Sequence, residues 1–471
     1  MLDTKGDQSD RPGELVSVDR SQQELIQTLE DVEVLADVGD LDSLDNLVCD
    51  LHPADFAALF SAMPRRLWPE VVARLDIGQI SDLMEELPDH LRDDVAELLK
   101  SDQLAEAIEE MASDDAADVL ADLPTGIAQR VIAALSKEDR QEVERLLAYP
   151  EDSAGGLMQT ELVSVVETAT VEETVEAIRA NSEEVGPFHF IYVVDRDERL
   201  VGVLNLAELI LSKPDQAISG LVTRDIQVVA PDVDQEDVAW MFSRYDLVVL
   251  PVVGENKELL GRILHDDIVD VLSEEADEDI LHMSGTTVDE PELVYTDQLF
   301  KIASVRLPWL LATLAGLTVP ALLVWAFQVS FPHMLMLVPF IPVIGAMGGN
   351  VGAQSSTIVV RGFATGRVDF QNLGSFLGRE LVISFLMGAA CGALSGLVAV
   401  VWHGDWTLSL TVTLSMLVAI VASAILGVLV PYLFRLIRID PAIAAGPLVT
   451  TIDDIVAIGI YYVAALLIIG T

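Results

Sequence analysis

Cysteine and basic residues are scarce in this sequence. The 471 residues include only two cysteines, Cys49 and Cys391, which lie in regions of different character and indicate no disulfide framework. Lys and Arg number 27 against 76 Asp and Glu, so the formal net charge is −49. A field of this sign repels nucleic acid and anionic lipid headgroups and attracts cations. We therefore expect no nucleic-acid partner.

The acidic excess lies before residue 300. Residues 300–471 contain seven Lys or Arg and six Asp or Glu, and the preceding part carries 20 basic and 70 acidic residues. Such acidity either serves solubility alone or binds cations.

Catalytic motifs are also missing. The sequence contains no nucleophile elbow, P-loop or dinucleotide fingerprint, and we expect no enzyme. Histidines are scattered without metal-ligand spacing, and we assign them no chemistry: His52, His90, His189, His265 and His282.

The first part of the chain predicts helices. Residues 1–21 are polar and lack the apolar core of a secretory signal, so we expect a disordered cytosolic tail. In residues 22–150, three segments each combine an acidic start, an apolar stripe and a terminal proline, at Pro64, Pro88 and Pro124. The prolines are 24 and 36 residues apart, which indicates an all-α superhelical domain.

Residues 151–275 repeat the order helix, strand, turn, strand, helix. The two copies resemble a tandem pair of CBS domains, an α/β module, most closely in the segments YDLVVLPVV and GRILHDDIVDVL. Residues 276–299 are acidic and predict a connecting helix that leads into the membrane.

Residues 300–471 predict a transmembrane domain of five helices. Five apolar stretches each exceed the roughly 20 residues that span a bilayer: 307–330, 334–360, 380–402, 407–434 and 445–470. The loops that hold Arg361, Arg367, Arg379, Arg435 and Arg438 all fall on one side, and the alternate turns contain no Lys or Arg. The positive-inside rule therefore predicts a cytosolic N-terminus and an external C-terminus.

Two of these stretches contain polar residues. In the second, Pro339, Pro342 and the Gly348–Gly349 pair predict a bend or unwinding, and Asn350 and Gln354 share one helical face. Helix packing through small and amide residues is the alternative interpretation.

The fifth stretch holds Thr450, Thr451 and the adjacent acids Asp453 and Asp454. Each charge at the centre of a bilayer costs roughly 2.5–3.5 kcal/mol, so a cation or a water-filled path should compensate it. Adjacent carboxylates on a helix point about 100° apart, so only one should face a narrow axis. Oxygen ligands without a Cys or His cluster favour a hard cation, with Mg²⁺ ahead of Ca²⁺ and Mn²⁺. A salt bridge to another span is the structural alternative.

The segments GGNVGAQSSTIVVRGFATG and GPLVTTIDDIVAIGIYY closely resemble the two signature segments of the MgtE magnesium transporters. The resemblance implies a multi-pass homodimer in the plasma membrane, with lipid around it and an ion pore between the subunits. It places the pore carboxylate at Asp454, in the pattern PLVTTxxDxxG, and leaves Asp453 at a free position. The other expected pore residues are Asn350, Thr450 and Asp453, with Asp453 as a neighbour near the cytosolic mouth. Ala457 departs from the glycine of the pattern.

The resemblance also implies that acidic cytosolic residues bind regulatory Mg²⁺ and close the channel when Mg²⁺ is high. The corresponding positions are Asp114, Asp115, Asp118, Asp234, Glu236, Asp246, Asp267, Asp270, Glu278, Asp279 and Asp440. Solvation alone is the alternative for each acid, and a helix cap before Pro441 is the alternative for Asp440.

CBS modules often bind adenine nucleotides, and the sequence leaves this open. Leu264 stands where the usual GxxTxxD pattern has Thr or Ser, although Asp267 is retained. Two other functions remain open as well: a carrier for another divalent cation such as Mn²⁺ or Co²⁺, and a membrane-anchored Mg²⁺ or nucleotide sensor that conducts nothing.

The odd number of spans gives a direct test of topology. Because the basic residues are confined to alternate loops, a reporter that works only outside the cytosol should be active when it is fused to the C-terminus. The same reporter at the N-terminus, as the control, should be inactive. An inactive C-terminal fusion would contradict five spans.

Overall fold

The computed structural model describes Thr28, Val32 and residues 51–181, 188–286, 299–368 and 372–470, with backbone only at 332–334. The expected tail, most of residues 22–50 and the connecting residues 287–298 lie outside this description. The chain forms two compact units. The first contains residues 1–235 and 248–264, and the second contains 236–247 and 265–471.

Residues 51–150 of the first unit form eight short helices, as the proline-delimited segments predict. They are α1 Pro53–Ala62, α2 Trp68–Val72, α3 Ile77–Glu86, α4 Asp89–Ala96, α5 Ser101–Glu109, α6 Ser113–Asp122, α7 Thr125–Ala134 and α8 Lys137–Leu146. The helices α1, α3 and α6 each end two residues before their proline, because proline restricts the residue that precedes it to extended geometry. Alternate helices pack together, α1 on α3, α3 on α5 and α5 on α7, around a core that includes Leu59 and Leu83.

Two small sheets follow, and they confirm the repeated strand pairs. In the first, β1 (Ser164–Val166) lies parallel to β2 (Phe190–Val194), which pairs antiparallel with β3 (Leu200–Asn205). In the second, β4 (Val249–Val253) pairs antiparallel with β5 (Leu259–Leu264). Both hairpins shift register just before the last residue of the leading strand, which supports their origin as copies of one unit.

Four helices accompany the strands: α9 Val171–Ala180, α10 Leu206–Leu211, α11 Gln235–Tyr245 and α12 His265–Met283. The helix α12 runs without a break through residue 276, where the sequence predicted that a separate connecting helix begins. The interpretation of 276–299 as one helix is therefore wrong in its bounds. The connection consists of the second half of α12, which ends at Met283, and a segment largely outside the described residues.

The second unit contains five helices that are long and apolar enough to cross a membrane, as the sequence predicts. The spans are Leu299–Ser330, Leu335–Ala364, Leu373–His403, Trp406–Leu436 and Pro441–Ile468. Their helices are α13 Leu299–Ser330, α14 Ile341–Ala364, α15 Leu373–His403, α16 Trp406–Leu436, α17 Pro441–Ala445 and α18 Pro447–Ile468. The helix α16 packs on α14, α15 and α18, whereas α13 packs mainly on α18.

Two of the spans are interrupted. In the second span, a 3₁₀ segment at Pro332–Phe340 precedes α14. The Gly348–Gly349 pair lies within regular helix, so the predicted unwinding there is wrong, and the change of geometry comes earlier because Pro339 and Pro342 lie near the junction. In the fifth span, Gly446 separates α17 from α18.

The break at Gly446 lies against the end of α12. A Cβ on Gly446 would meet the carbonyl of Met283, and one on Gly285 would meet the ring of Pro447. Gly285 also has a φ of +79°, which favours glycine. Both glycines allow the end of the connecting helix to approach the fifth span at backbone distance.

Candidate ion pathway and acidic sites

The two intramembrane aspartates lie on α18, and they differ in burial. The side chain of Asp453 is fully buried inside the bundle, whereas Asp454 is partly exposed. Both face glycines of α14. The Asp454 Oδ1 atom lies 3.1 Å from the position of a Cβ on Gly345, and Asp453 occupies the place that a Cβ on Gly352 would need.

Gly348 lies between these two glycines and explains the departure from the family pattern. The Cβ atom of Ala457 lies 3.4 Å from the position of a Cβ on Gly348, and Ala457 is fully buried. The methyl group of Ala457 is therefore accommodated by a glycine on the facing helix. Close packing of small residues of this kind holds membrane helices together.

Other polar residues of the two spans lie at different positions in the bundle. Asn350 and Gln354 are exposed on the surface of α14. This position does not support the alternative that they join helices within this chain. Thr450 and Thr451 donate their hydroxyls to the carbonyl of Pro447 at 3.1 and 2.6 Å, which satisfies them locally in the first turn of α18.

No Lys or Arg forms an ion pair with Asp453 or Asp454 in the described part of the chain, so the salt-bridge alternative has no support there. A third carboxylate, Glu380 on α15, is buried, and its Oε1 atom accepts a hydrogen bond from Ser355 Oγ at 2.7 Å. The sequence analysis assigned Glu380 no role. Its position at the first residue of the apolar stretch 380–402 was the available signal.

A second polar site joins α12 to α17. The Nδ1 atom of His282 lies 2.8 Å from Asp440 Oδ2 and 3.7 Å from Glu278 Oε1. The hydrogen bond to Asp440 and the neighbouring acids raise the pKa of His282. Asp440 Oδ1 accepts from the Ala442 backbone N–H at 2.8 Å, so Asp440 caps α17, as the alternative interpretation expected, and also contacts α12.

Asp279 completes this site. Burial and the nearby Asp440 raise the pKa of Asp279 to about 6, and the charge of Arg361, at the end of α14, opposes the rise. The structure thus brings Glu278, Asp279 and Asp440 together. His282, to which no chemistry was assigned from the sequence, lies among them.

A third acidic site lies in the first unit, on α6. Asp114 Oδ2 accepts from Gln159 Nε2 at 3.2 Å, and Asp115 is half-buried in the same turn. Burial first, and then the charges of Glu151 and Asp114, raise the pKa of Asp118 to about 8, against the opposing charge of Arg92. Glu151 was not among the residues predicted from the sequence.

The other predicted regulatory acids are dispersed over the surface. Asp234, Glu236, Asp246 and Asp270 are exposed, and Asp267 is half-buried in the first turn of α12. Asp246 has a φ of +51°. Within the described residues, no three His, Cys, Asp or Glu side chains are arranged closely enough to hold a metal ion.

The raised pKa of Asp118 predicts a pH dependence of the helical domain in Mg²⁺-free buffer. The folded-state pKa exceeds the unfolded value of about 3.9, so the folded state binds more protons between these two values. The contribution of Asp118 to the stability of the helical domain is therefore largest at low pH and falls as the pH rises toward about 8. Asp118→Asn should remove this loss, on the order of 4 kcal/mol between pH 5 and 8.

Hydrogen exchange of residues 113–122 in the full-length protein, corrected for the intrinsic pH dependence of exchange, measures this stability. Glu106→Gln, an exposed acid on α5, serves as the matched control and should keep the wild-type slope. An equal pH slope in the wild type and Asp118→Asn would exclude Asp118 as its source.

Comparisons with known proteins cover most of the chain. The family model described as MgtE, divalent cation transporter, matches residues 341–464, and the MgtE intracellular N domain matches 51–152. CBS domain models match 154–213 and 218–274. The expectation of an all-α domain, a tandem CBS module and a five-helix membrane domain is thereby confirmed.

Curated relatives match over nearly the full length. The Magnesium transporter MgtE of Thermus thermophilus is 33% identical over 439 residues, which are 90% of this chain and 94% of that protein. The Magnesium transporter MgtE of Bacillus subtilis is 29% identical over 425 residues, 90% of this chain and 93% of that protein.

A solved structure has the same fold as about half of this chain. It is the cytosolic domain of the Mg²⁺ channel MgtE in complex with ATP, with a TM-score of 0.50 and 33% identity, and the match covers 52% of this chain and 99% of that one. Family models, full-length relatives and fold agree with the expectation that this is a transporter and not an enzyme, and the chain belongs to the MgtE family of magnesium transporters.

Proposed function

We propose that this protein is a Mg²⁺-selective channel of the plasma membrane, closed by Mg²⁺ bound to its acidic cytosolic part. The observation that carries the proposal is the position of Asp454, a partly exposed carboxylate on an interrupted span, with no Lys or Arg partner in the described chain. A charge so costly in a membrane needs a compensating cation. In a simple membrane anchor it would have no compensation.

The pore is proposed to form between two copies of the chain. Asp454 and Asn350 are both open to the surface of a single bundle, so two subunits that face each other there would line one path with oxygen ligands. Mg²⁺ retains several water molecules, so few carboxylates suffice to hold it. The N-terminus is proposed to be cytosolic and the C-terminus external, from the distribution of arginines.

Regulation is proposed to act through α12. The contacts of His282 with Asp440, and of Met283 with Gly446, connect this helix to the start of the fifth span. Bare carboxylates repel, whereas a divalent ion between them bridges. Mg²⁺ at the acidic surfaces would thus hold α12 against the break in the span and keep the path closed.

An adenine nucleotide is a further proposed ligand of the CBS module. The relative whose cytosolic domain was solved with ATP is 33% identical. Gly202 and Gly261 stand at equivalent positions of the two hairpins, and both are tightly packed. A Cβ on Gly202 would meet the Thr223 carbonyl, and one on Gly261 would lie 2.6 Å from the Gln159 carbonyl.

Asp454→Asn should abolish most Mg²⁺ uptake while the protein remains folded and assembled. The amide keeps the shape of the carboxylate and loses the charge that attracts a hydrated divalent ion. Asp453→Asn should have a milder effect. Mg²⁺-sensitive dye in cells that express matched amounts of each variant provides the measurement, with size-exclusion chromatography as the control for assembly. Near-normal uptake in both variants would contradict the pore assignment.

Gating should require several acids at once. A shift from 1:99 to 99:1 between two states needs roughly 5.5 kcal/mol of differential binding, which one exposed site cannot supply. Neutralising Asp246, Asp267, Asp270, Glu278 and Asp279 together should leave conduction intact and insensitive to millimolar Mg²⁺. Each single replacement should only shift the midpoint.

Patch recordings with Mg²⁺ varied on the cytosolic side provide the measurement. A control variant with five exposed acids of the helical domain neutralised should gate as the wild type does. These acids are Asp55, Asp102, Glu106, Glu138 and Glu144. Normal gating after replacement of the first five acids would show that they serve solubility.

A further inference from the structure

Asp453 is an unusual residue for the interior of a membrane bundle. Its side chain is 0% exposed, and neither carboxylate oxygen meets hydrogen-bond geometry with any described group. Ser423 of α16 is the hydroxyl that faces it. An ion ligand in a pore between subunits must be reachable from the surface of its own subunit, and Asp453 is not.

The space that Asp453 occupies exists only because residue 352 is glycine. A Cβ at that position would overlap Asp453 Oδ2 and lie 2.8 Å from its Cγ, and real Cβ atoms do not approach other atoms so closely. The backbone of Gly352 is also in close contact with α16, since a Cβ on Gly427 of α16 would meet the Gly352 carbonyl. This contact restricts how α14 can shift at the residue that faces Asp453.

Three successive contacts of α18 show that this helix runs antiparallel to the second span. Asp453 lies at Gly352, Ala457 lies at Gly348, and the Tyr461 hydroxyl donates to the Leu337 carbonyl at 2.9 Å. Residues four apart lie on one face of a helix, so Asp453, Ala457 and Tyr461 form a single buried ridge. Asp454, one residue further along the chain, points about 100° away.

We propose that Asp453 is a positioning residue, whose carboxyl fits the gap at Gly352 and thereby fixes the rotation of α18 that presents Asp454 to the ion. This inference rests on the proposed pore function and replaces the expectation that Asp453 belongs to the pore. Interiors pack at crystal-like density, so a displaced buried side chain shifts its helix. A rotation of α18 would move Asp454 away from the axis.

Substitutions that add volume at residue 352 and remove it at residue 453 test this role. Gly352→Ala should raise the half-saturating Mg²⁺ concentration for flux at least tenfold, because the new methyl group displaces Asp453 and turns α18. Gly352→Ala combined with Asp453→Ala removes the overlap and should return that concentration to within about threefold of wild type. Gly459→Ala, which places a methyl group on α18 with no atom within 4 Å, is the matched control and should behave as wild type.

The comparison of the two variants distinguishes a positioning residue from a ligand. If Asp453 bound the ion, the double variant would be at least as impaired as Gly352→Ala, and the proposal would be overturned. A normal Gly352→Ala channel would overturn it as well. If the wild type conducts and Asp454→Asn does not, failure of the rescue refutes the positioning role alone and leaves the pore assignment intact.

Thiol accessibility gives a second measurement that does not depend on the rescue. In full-length protein with Cys49 and Cys391 replaced by serine, cysteine is placed at 453 or at 454 and treated in liposomes with a small water-soluble thiol reagent. Cys in place of Asp454 should react, and Mg²⁺ should slow the reaction. Cys in place of Asp453 should remain unmodified. Equal, Mg²⁺-protected reaction at both positions would refute the inference.

Discussion

The cost of placing carboxylates in a membrane is the constraint on which the transmembrane domain depends. Asp453, Asp454 and Glu380 all lie on the spans, and no described Lys or Arg forms an ion pair with the two aspartates. Each of the three acids has a different environment in the bundle. Glu380 accepts a hydrogen bond from Ser355, Asp453 is enclosed against Gly352, and Asp454 stays partly open. Only the last arrangement leaves a charge available to a passing cation.

Small residues make these arrangements geometrically feasible. Gly345, Gly348 and Gly352 on α14 each face a different residue of α18, and Gly427 lets α16 approach α14 at backbone distance. Without these glycines the aspartates would have to point elsewhere. At the start of the fifth span, Gly446 interrupts the helix and lets the end of α12 approach at backbone distance.

Much of this architecture could be predicted from the sequence, for physical reasons. Proline positions set the ends of α1, α3 and α6 because proline acts locally, and hydropathy identifies the five spans because bilayer thickness is fixed. The aspartates attract attention because charge is rare in a span. In contrast, the separate roles of Asp453 and Asp454 depend on the rotation of α18 against α14, which no local pattern encodes.

Long-range contacts account for most of what the sequence did not show. His282 looked like an isolated histidine, because its partner Asp440 is 158 residues away in the chain. Glu151 lies near enough to Asp118 for its charge to raise the pKa of Asp118. The continuity of α12 through residue 276 was hidden by a change in composition in the middle of the helix. Each of these features arises from tertiary packing.

The central claim is that the protein conducts Mg²⁺ and that cytosolic Mg²⁺ closes it. Flux of Mg²⁺ into liposomes that contain only the purified wild-type protein tests this claim most directly, with Mg²⁺ on the face of the cytosolic domains varied from micromolar to millimolar. The account predicts flux at low Mg²⁺ on that face and its suppression at millimolar concentrations. Liposomes that take up no Mg²⁺ under any condition would contradict it and would indicate a sensor that conducts nothing.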